Sequence, residues 1–341
     1  MEPWREANDA SWDEAQDALF AAGLGDGLPL APPTRERIER MLGAAGVERA
    51  GVVGVLAPAY APATWEQIAY NAVLAGCRPE HLRVVGAAVA AVAADEFNLL
   101  GIATTTGSAA TLAIVNGPIA ATLGMNAAGN ALGPGNRANA TIGRALRLTL
   151  QNVGGARPGE TDMATLGQPA KFGACFAENE AASPWPSLAV ERGFAADASV
   201  VTVAGISGSV EIVDSDSAGA EDLALSYAQS MLIAGNVGAS GWIGGGEPLI
   251  VLPPEHAETF QRAGCSKRDV KKLIFERALL PLERLPSKAR ARLDAKGVNA
   301  ARIAASADDV MIVVAGGVGR KGAYLPTWSG GTRAVSRAVA W

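Results

Sequence analysis

The run Gly133-Pro-Gly-Asn-Arg-Ala-Asn-Ala-Thr-Ile-Gly-Arg144 places anion-binding groups at a spacing that a helix would align. With a helix starting near Arg137, residues Arg137, Thr141, Arg144 and Leu148 share one stripe. Ile142, Ala145, Leu146 and Leu150 form an apolar stripe on the other side. The Gly/Pro loop before it offers backbone N–H groups at the positive end of the helix dipole. A small anion there would meet those amides, the Asn136 and Asn139 side chains and guanidinium forks. The plainer reading of the same residues is a solvated face whose arginines pair with acids, Asn136 serving only as a cap.

A second Gly-rich cationic run, Gly316-Gly-Val-Gly-Arg-Lys-Gly322, follows the apolar run Asp309–Ala315, a buried strand by its pattern. Ligands of open α/β sheets bind just beyond such strands. The spacing fits neither a Walker A loop nor G-x-G-x-x-G before a helix, and a flexible basic turn is the alternative. Arg320 would bind substrate, and Lys321 would neutralise substrate charge or move a proton. Residues 133–144 and 316–322 are expected to line one shared pocket. Thr105 and Thr106, within Thr104–Ser108, could hold a carboxylate through hydroxyls and amides, or simply end a structural element.

Cys77 precedes Arg78 and Pro79 at an expected helix start, a setting that lowers a thiol pKa and makes a nucleophile, with His81 one turn on as a base. A small buried hydrophobe is the competing role. Glu178, in Glu178-Asn-Glu180, is the candidate carboxylate base; with Glu180 and Asp162 it could also supply ligands to a hard metal ion. Two histidines (His81, His256) and three scattered cysteines give little soft-metal or Ser-His-Asp chemistry, and no C-x-x-C is present. No metal and no cofactor is expected. Asp26, between two glycines, reads as a turn residue first and a catalytic acid second.

These groups need a scaffold. The chain has 341 residues, 49% hydrophobic, 18% charged and 5% aromatic, with 40 glycines and a net charge of -5. Its mean hydropathy is +0.17. Such a chain is ordered, and its acidic balance argues against nucleic acid. The longest apolar stretch, Val84–Ala94, is about half of the roughly 20 residues of a membrane span. The acidic start Met1–Ala10 does not resemble a signal peptide, so the expected location is cytoplasmic.

Ser11 with Glu14, Thr34, and Ser266 with Asp269 mark helix starts. Helices are also expected over Trp65–Ala75, Pro79–Ala94 and Ala220–Ala234. Val52–Leu56, Ser199–Gly205 and Pro248–Leu252 read as strands, and Thr111–Pro118 supplies a short one. Residues 152–187 carry no period, and the run around Trp242 reads as a mobile loop. Strands alternating with helices imply an α/β fold of two Ala/Gly-rich halves, 1–190 and 191–341, with a pocket between them. A faint echo suggests related halves: Leu30–Thr34 with Val251–Glu255, and Ala75–Leu82 with Ala263–Val270.

In Gly25–Thr34, Asn71–Glu80, Asn116–Pro118, Gly133–Arg144, Ala177–Glu180 and Ser183–Trp185 the chain resembles a bacterial family sharing GDGLPxxPPT, AGCxPE and GPGxRANATIGR motifs. Some members are associated with a selenocysteine-Gly-Ser-Cys (UGSC) domain. The resemblance implies that these segments belong together over nearly the whole chain. No Cys-Gly-Ser-Cys is present, so the associated redox chemistry does not carry over. The sequence therefore points to a homo-oligomeric enzyme acting on a small anionic, carboxylate-bearing metabolite by acid/base or thiol chemistry, of lyase or hydrolase type. A non-catalytic anion-binding protein and a thiol-dependent redox partner are the alternatives.

Overall fold

A computed structural model describes residues 11–233, 246–297, 299–328 and 330–340. The acidic start at 1–10 and the run around Trp242 lie outside the described residues. The chain opens with helices α1 (Trp12–Ala21) and α2 (Arg35–Ala45), a hairpin of β1 (Val52–Leu56) and β2 (Ala61–Thr64), and helices α3 (Trp65–Leu74), α4 (Leu82–Val92) and α5 (Leu99–Thr104). Then come β3 (Ala110–Asn116), α6 (Pro118–Thr122), α7 (Arg137–Asn152), β4 (Ala174–Ala177), α8 (Leu188–Glu191) and β5 (Val200–Ile206). The remainder is β6 (Val210–Val213), α9 (Ala220–Ile233), β7 (Leu249–Leu252), α10 (Pro254–Arg262), α11 (Lys267–Arg277), β8 (Leu279–Pro281), α12 (Ser287–Asp294), β9 (Ala300–Arg302), β10 (Met311–Val314), β11 (Lys321–Leu325) and β12 (Val335–Ala338). No single helix among the described residues is long and apolar enough to cross a membrane.

The fold is α/β, and its plan follows from strands that are apolar on both faces. Every residue of β3, β5, β7 and β10 is buried. Side chains alternate across a strand, so each strand must supply two cores. Leu112, Ile114 and Ile206 of one sheet meet Leu249, Val251, Met311 and Val313 of the other in a core between the sheets. The intervening Ala113, Val115, Val201 and Val203 face a helical layer containing α3, α4 and α7. On the far side Ile250, Leu252, Ile312 and Val314 face α9, α10 and α11. Two four-stranded sheets thus stack between two helical layers.

Their strand orders are β4-β3-β5-β12 and β10-β7-β11-β6. In each, the first two strands are parallel, the third is antiparallel to its neighbours, and the fourth runs with the first two. The fourth strands are exchanged: β6 follows β5 but pairs with β11, and β12 follows β11 but pairs with β5. The connections pair where they cross, Ser207 N donating to Pro326 O at 2.7 Å and Trp328 N to Gly205 O at 3.0 Å. The boundary expected at 190/191 therefore does not separate the sheets, since β5 and β12 complete the first one. Nor does the sequence echo fall at matching places. Ala75–Leu82 joins helices ahead of β3, whereas Ala263–Val270 joins helices behind β7, the strand in β3's position.

The predicted caps form. Ser11 and Ser266 close capping boxes with Glu14 and Asp269, Thr34 accepts from Arg37 N, and Asn136 from Asn139 N. The helix expected over 79–94 begins as a 3-10 turn, Pro79–His81, before α4. Val52–Leu56 is not a buried strand; it pairs only with β2, and Val52 and Val55 are exposed because no sheet covers their outer face. The aperiodic 152–187 segment hides β4, an edge strand of four residues, too short to show a period.

Helix α7 lies against β4 through glycine. A Cβ on Gly143 would stand 2.7–3.0 Å from backbone atoms of Ala174. Gly143→Ala is expected to lower the unfolding free energy by about 1–3 kcal/mol, because backbone on both sides must shift. Gly43→Ala, on the exposed side of α2 with nothing within 4 Å, is expected to raise it by about 0.5–1 kcal/mol. Urea titrations of the two variants measure both.

Candidate functional site

Helix α7 and the start of β4 border a cleft of about 800 Å³. Leu28, Leu132, Pro134, Phe172 and Ala140 form its outer walls, and Leu112, Ile206 and Leu325 close its floor at the edge of the inter-sheet core. Leu28, Leu132 and Phe172 are 42%, 47% and 50% exposed, so the rim is an open apolar surface. Asn139, Thr141, Arg144, Gln168 and Ser209 contribute polar groups.

Most of those groups are already engaged. Arg144 makes a bidentate pair with Asp26, Nε to Oδ2 at 2.7 Å and Nη2 to Oδ1 at 2.8 Å, and Nη2 also donates to Leu28 O. Asp26 is thus the partner of Arg144 as well as a turn residue. Gln151 Nε2 on Gly25 O and Asn152 Nδ2 on Leu24 O fasten the same segment to α7. Asn139 bonds Asn126 N, Asn126 O and Ala131 O, which shapes the 126–131 loop. Thr141 donates to Arg137 O at 2.8 Å. Gln168 Nε2 donates to Ser108 O and Ile206 O. Among the described residues, Arg144 Nη1, Gln168 Oε1 and the Ser209 hydroxyl have no protein partner.

The expected cationic stripe is therefore only partly open: Arg144 is paired with Asp26, and Arg137, exposed and without an ion pair among the described residues, keeps its charge. Arg137 Nε donates to Gly76 O at 3.0 Å, Asn136 joins Asn139 N to Gly124 O, and Leu148 is fully buried. The 316–322 run does not line the cleft. Gly316 N donates to Ala127 O, and Gly319 N to Glu255 Oε2 at 2.6 Å, so a carboxylate of the chain already occupies that loop. Arg320 bonds Asp214 O, Ser217 O and Thr259 Oγ1. Lys321 begins β11 on the exposed side. Thr105 Oγ1 accepts from Gly107 N, and Thr106 O accepts from Thr165 N: a turn, away from the cleft.

The acidic thiol expected at Cys77 does not arise. Cys77 sits in the α3–α4 corner rather than at the first turn of α4, and its Sγ donates to Thr141 O at 3.3 Å. Burial pushes its pKa up to about 12, outweighing that bond and the charges of Arg137 and Arg144. His81 Nδ1 accepts from Arg78 N and meets the Thr141 hydroxyl, each at 3.3 Å. Desolvation depresses the His81 pKa to about 4, leaving a neutral ring. Cys175, a lining residue, is likewise raised by burial.

Glu178 lies beyond the opposite end of β4 from the cleft and is buried with Asn116 and Lys267, beside half-buried Glu180. Cys77, Glu178 and Lys321 thus do not assemble into one site. Sequence reasoning missed Gln168 and Ser209, which carry no local signal. It also missed Tyr227 and His256, a buried pair at 2.8 Å that cross-links α9 and α10. Among the described residues no group of three or more His, Cys, Asp or Glu side chains is placed to hold a metal ion. Comparison with protein-family models, curated proteins and solved structures finds no match.

Two measurements check this reading. Cys77 is expected to react with iodoacetamide only as fast as the protein opens, with half-buried Cys265 labelled first. Arg144→Ala and Asp26→Asn are each expected to cost about 1.5–3 kcal/mol of stability. The double variant should lose little more than the worse single one, measured by a double-mutant cycle in urea.

Proposed function

We propose that this chain binds a small, mostly apolar organic molecule with one anionic or hydrogen-bonding end, held in the cleft between α7, the start of β4 and the crossing of the exchanged strands. The carrying observation is the cleft itself: about 800 Å³ with an exposed apolar rim, within the usual range of small-molecule pockets. Arg144, Gln168 and Ser209 line it, and each keeps a polar atom with no hydrogen bond among the described residues. Arg144 Nη1 suits a carboxylate, and the Ser209 hydroxyl and Gln168 Oε1 suit the remaining polar atoms of such an end.

A binding role accounts for the lining better than lyase or hydrolase chemistry. Acid/base or thiol catalysis needs a group with a pKa poised for proton transfer at the reacting atoms. The thiols near the cleft are driven the wrong way by burial, and the carboxylate nearest its arginine is tied in a bidentate pair.

The test is calorimetric titration with a series of linear and aromatic carboxylic acids and their matching alcohols. Saturable 1:1 binding with a negative heat-capacity change is expected, tighter for the acids. Ala140→Trp, at an exposed helix position on the wall, is expected to abolish binding while keeping the melting temperature. Absence of saturable binding across both series, or full binding by Ala140→Trp, overturns the proposal.

A further inference from the structure

At the carboxyl ends of β3 and β4 the hydrogen bonds of a buried network do not balance. Asn116 ends β3 and Glu178 follows β4, and the Glu178 side chain is 0% exposed. Glu178 Oε2 accepts two bonds, from Asn116 Nδ2 at 2.7 Å and from Leu188 N at 2.8 Å. Oε1 accepts none, and neither does Asn116 Oδ1, although both are shut away from solvent. Buried acceptors are rarely left this way. The amide cannot be turned to repair the count, because Nδ2 also donates to Glu180 Oε1 at 3.1 Å. A reversed amide would set its oxygen against two carboxyl groups.

The charges around Glu178 point the same way. Lys267 and Lys271, both from α11, converge on Glu191 at 2.9 and 2.7 Å. Lys267 also donates to Pro186 O and stands 3.8 Å from Glu178 Oε1. Glu180 is held by Gly117 N and Asn116. Both ammonium groups thus converge on Glu191, while Glu180 lies on the other side of the Asn116 amide; counted together, the two lysines balance these two carboxylates when Glu178 is uncharged.

We propose that Glu178 is a proton-binding site: in the folded protein it is the neutral acid, Oε1 donating its proton to Asn116 Oδ1 while Oε2 accepts from Asn116 Nδ2. One proton supplies the donor that both orphaned acceptors lack. The resulting acid–amide ring fastens β3 to β4 and, through Leu188 N, to α8. Asn179 N on Val314 O, at 2.7 Å, extends the join to β10 of the other sheet. Desolvation raises the Glu178 pKa against the opposing pull of Lys267, Leu188 N–H and Asn116. Its folded value thus exceeds the unfolded one of about 4.3. The stability it contributes is complete below that pH, is lost as pH rises through the folded value, and is constant above it. The ring is a latch that loosens on the alkaline side.

Infrared spectroscopy of the whole protein tests this directly. A carboxylic-acid C=O band that persists above pH 6, where ordinary carboxyls are ionised, is expected in the native protein and absent from Glu178→Gln. Glutamine reproduces the acid's donor and acceptors, so the variant is expected to match the native melting temperature within about 1 °C at pH 5 and to exceed it at higher pH. A native protein without the band at pH 6 overturns the proposal, and this spectrum decides even if the variant does not fold. So does a loss of about 5 °C or more in Glu178→Gln at pH 6, the mark of an ionised Glu178 paired with Lys267.

Discussion

Burial of the central strands on both faces is the constraint from which the rest of this structure follows. A strand such as β3, apolar at every position, cannot end a protein layer, so each sheet needs a helical layer behind it and a second sheet in front. The exchange of β6 and β12 makes that arrangement one unit. Each sheet is completed by a strand whose chain neighbour lies in the other sheet, and the two connections bond to each other where they cross. Sliding one sheet over the other would break those ladders together with the apolar contacts between the sheets.

The cleft is a by-product of that geometry. The inter-sheet core runs out beside the crossing, where β4 is short and α7 closes down on it through Gly143. Apolar floor residues that would be sealed by a longer edge strand are left open to the cleft. The arginines of the two expected anion loops do not gather on it: of Arg137, Arg144 and Arg320 only Arg144 lines the cleft. Arg137 and Arg320 donate to backbone carbonyls, and Arg144 clasps Asp26. The half-buried guanidinium groups of Arg144 and Arg320 need their donors satisfied, and nearby carbonyls and carboxylates answer most of that need.

Elsewhere the interior polar groups act as cross-ties between layers. Arg147 and Lys171 share Asp162, joining α7 to the segment that leads into β4. His256 is kept neutral by desolvation, donating Nε2–H to Asp214 O and accepting at Nδ1 from the Tyr227 hydroxyl. Tyr227 reaches this position because Gly322 of β11 leaves it room; a Cβ there would lie 1.9 Å from its oxygen. Such ties are costly when half satisfied. The open valences at Asn116 and Glu178 therefore stand out in an interior otherwise nearly closed.

Local signals in the sequence determined the α/β class, the starts of α1, α2, α7 and α11, and the apolar strands β3, β5, β7 and β10. Caps and apolar runs act within a few residues, so their physics is legible without neighbours. The short strands β4, β6, β11 and β12 were not legible. Lys321 and Gly322 read as loop residues because what makes them a strand is pairing with Val213 and Ile212, more than a hundred residues away. The same holds for chemistry. Cys77 beside Arg78 carries the local marks of a reactive thiol, and only the closing of α7 over the corner, which removes water and presents Thr141 O, turns it into an inert one. The sequence determined which groups the protein possesses; the tertiary structure decided which meet water and which meet each other, because desolvation and long-range pairing are properties of the assembled layers rather than of any segment.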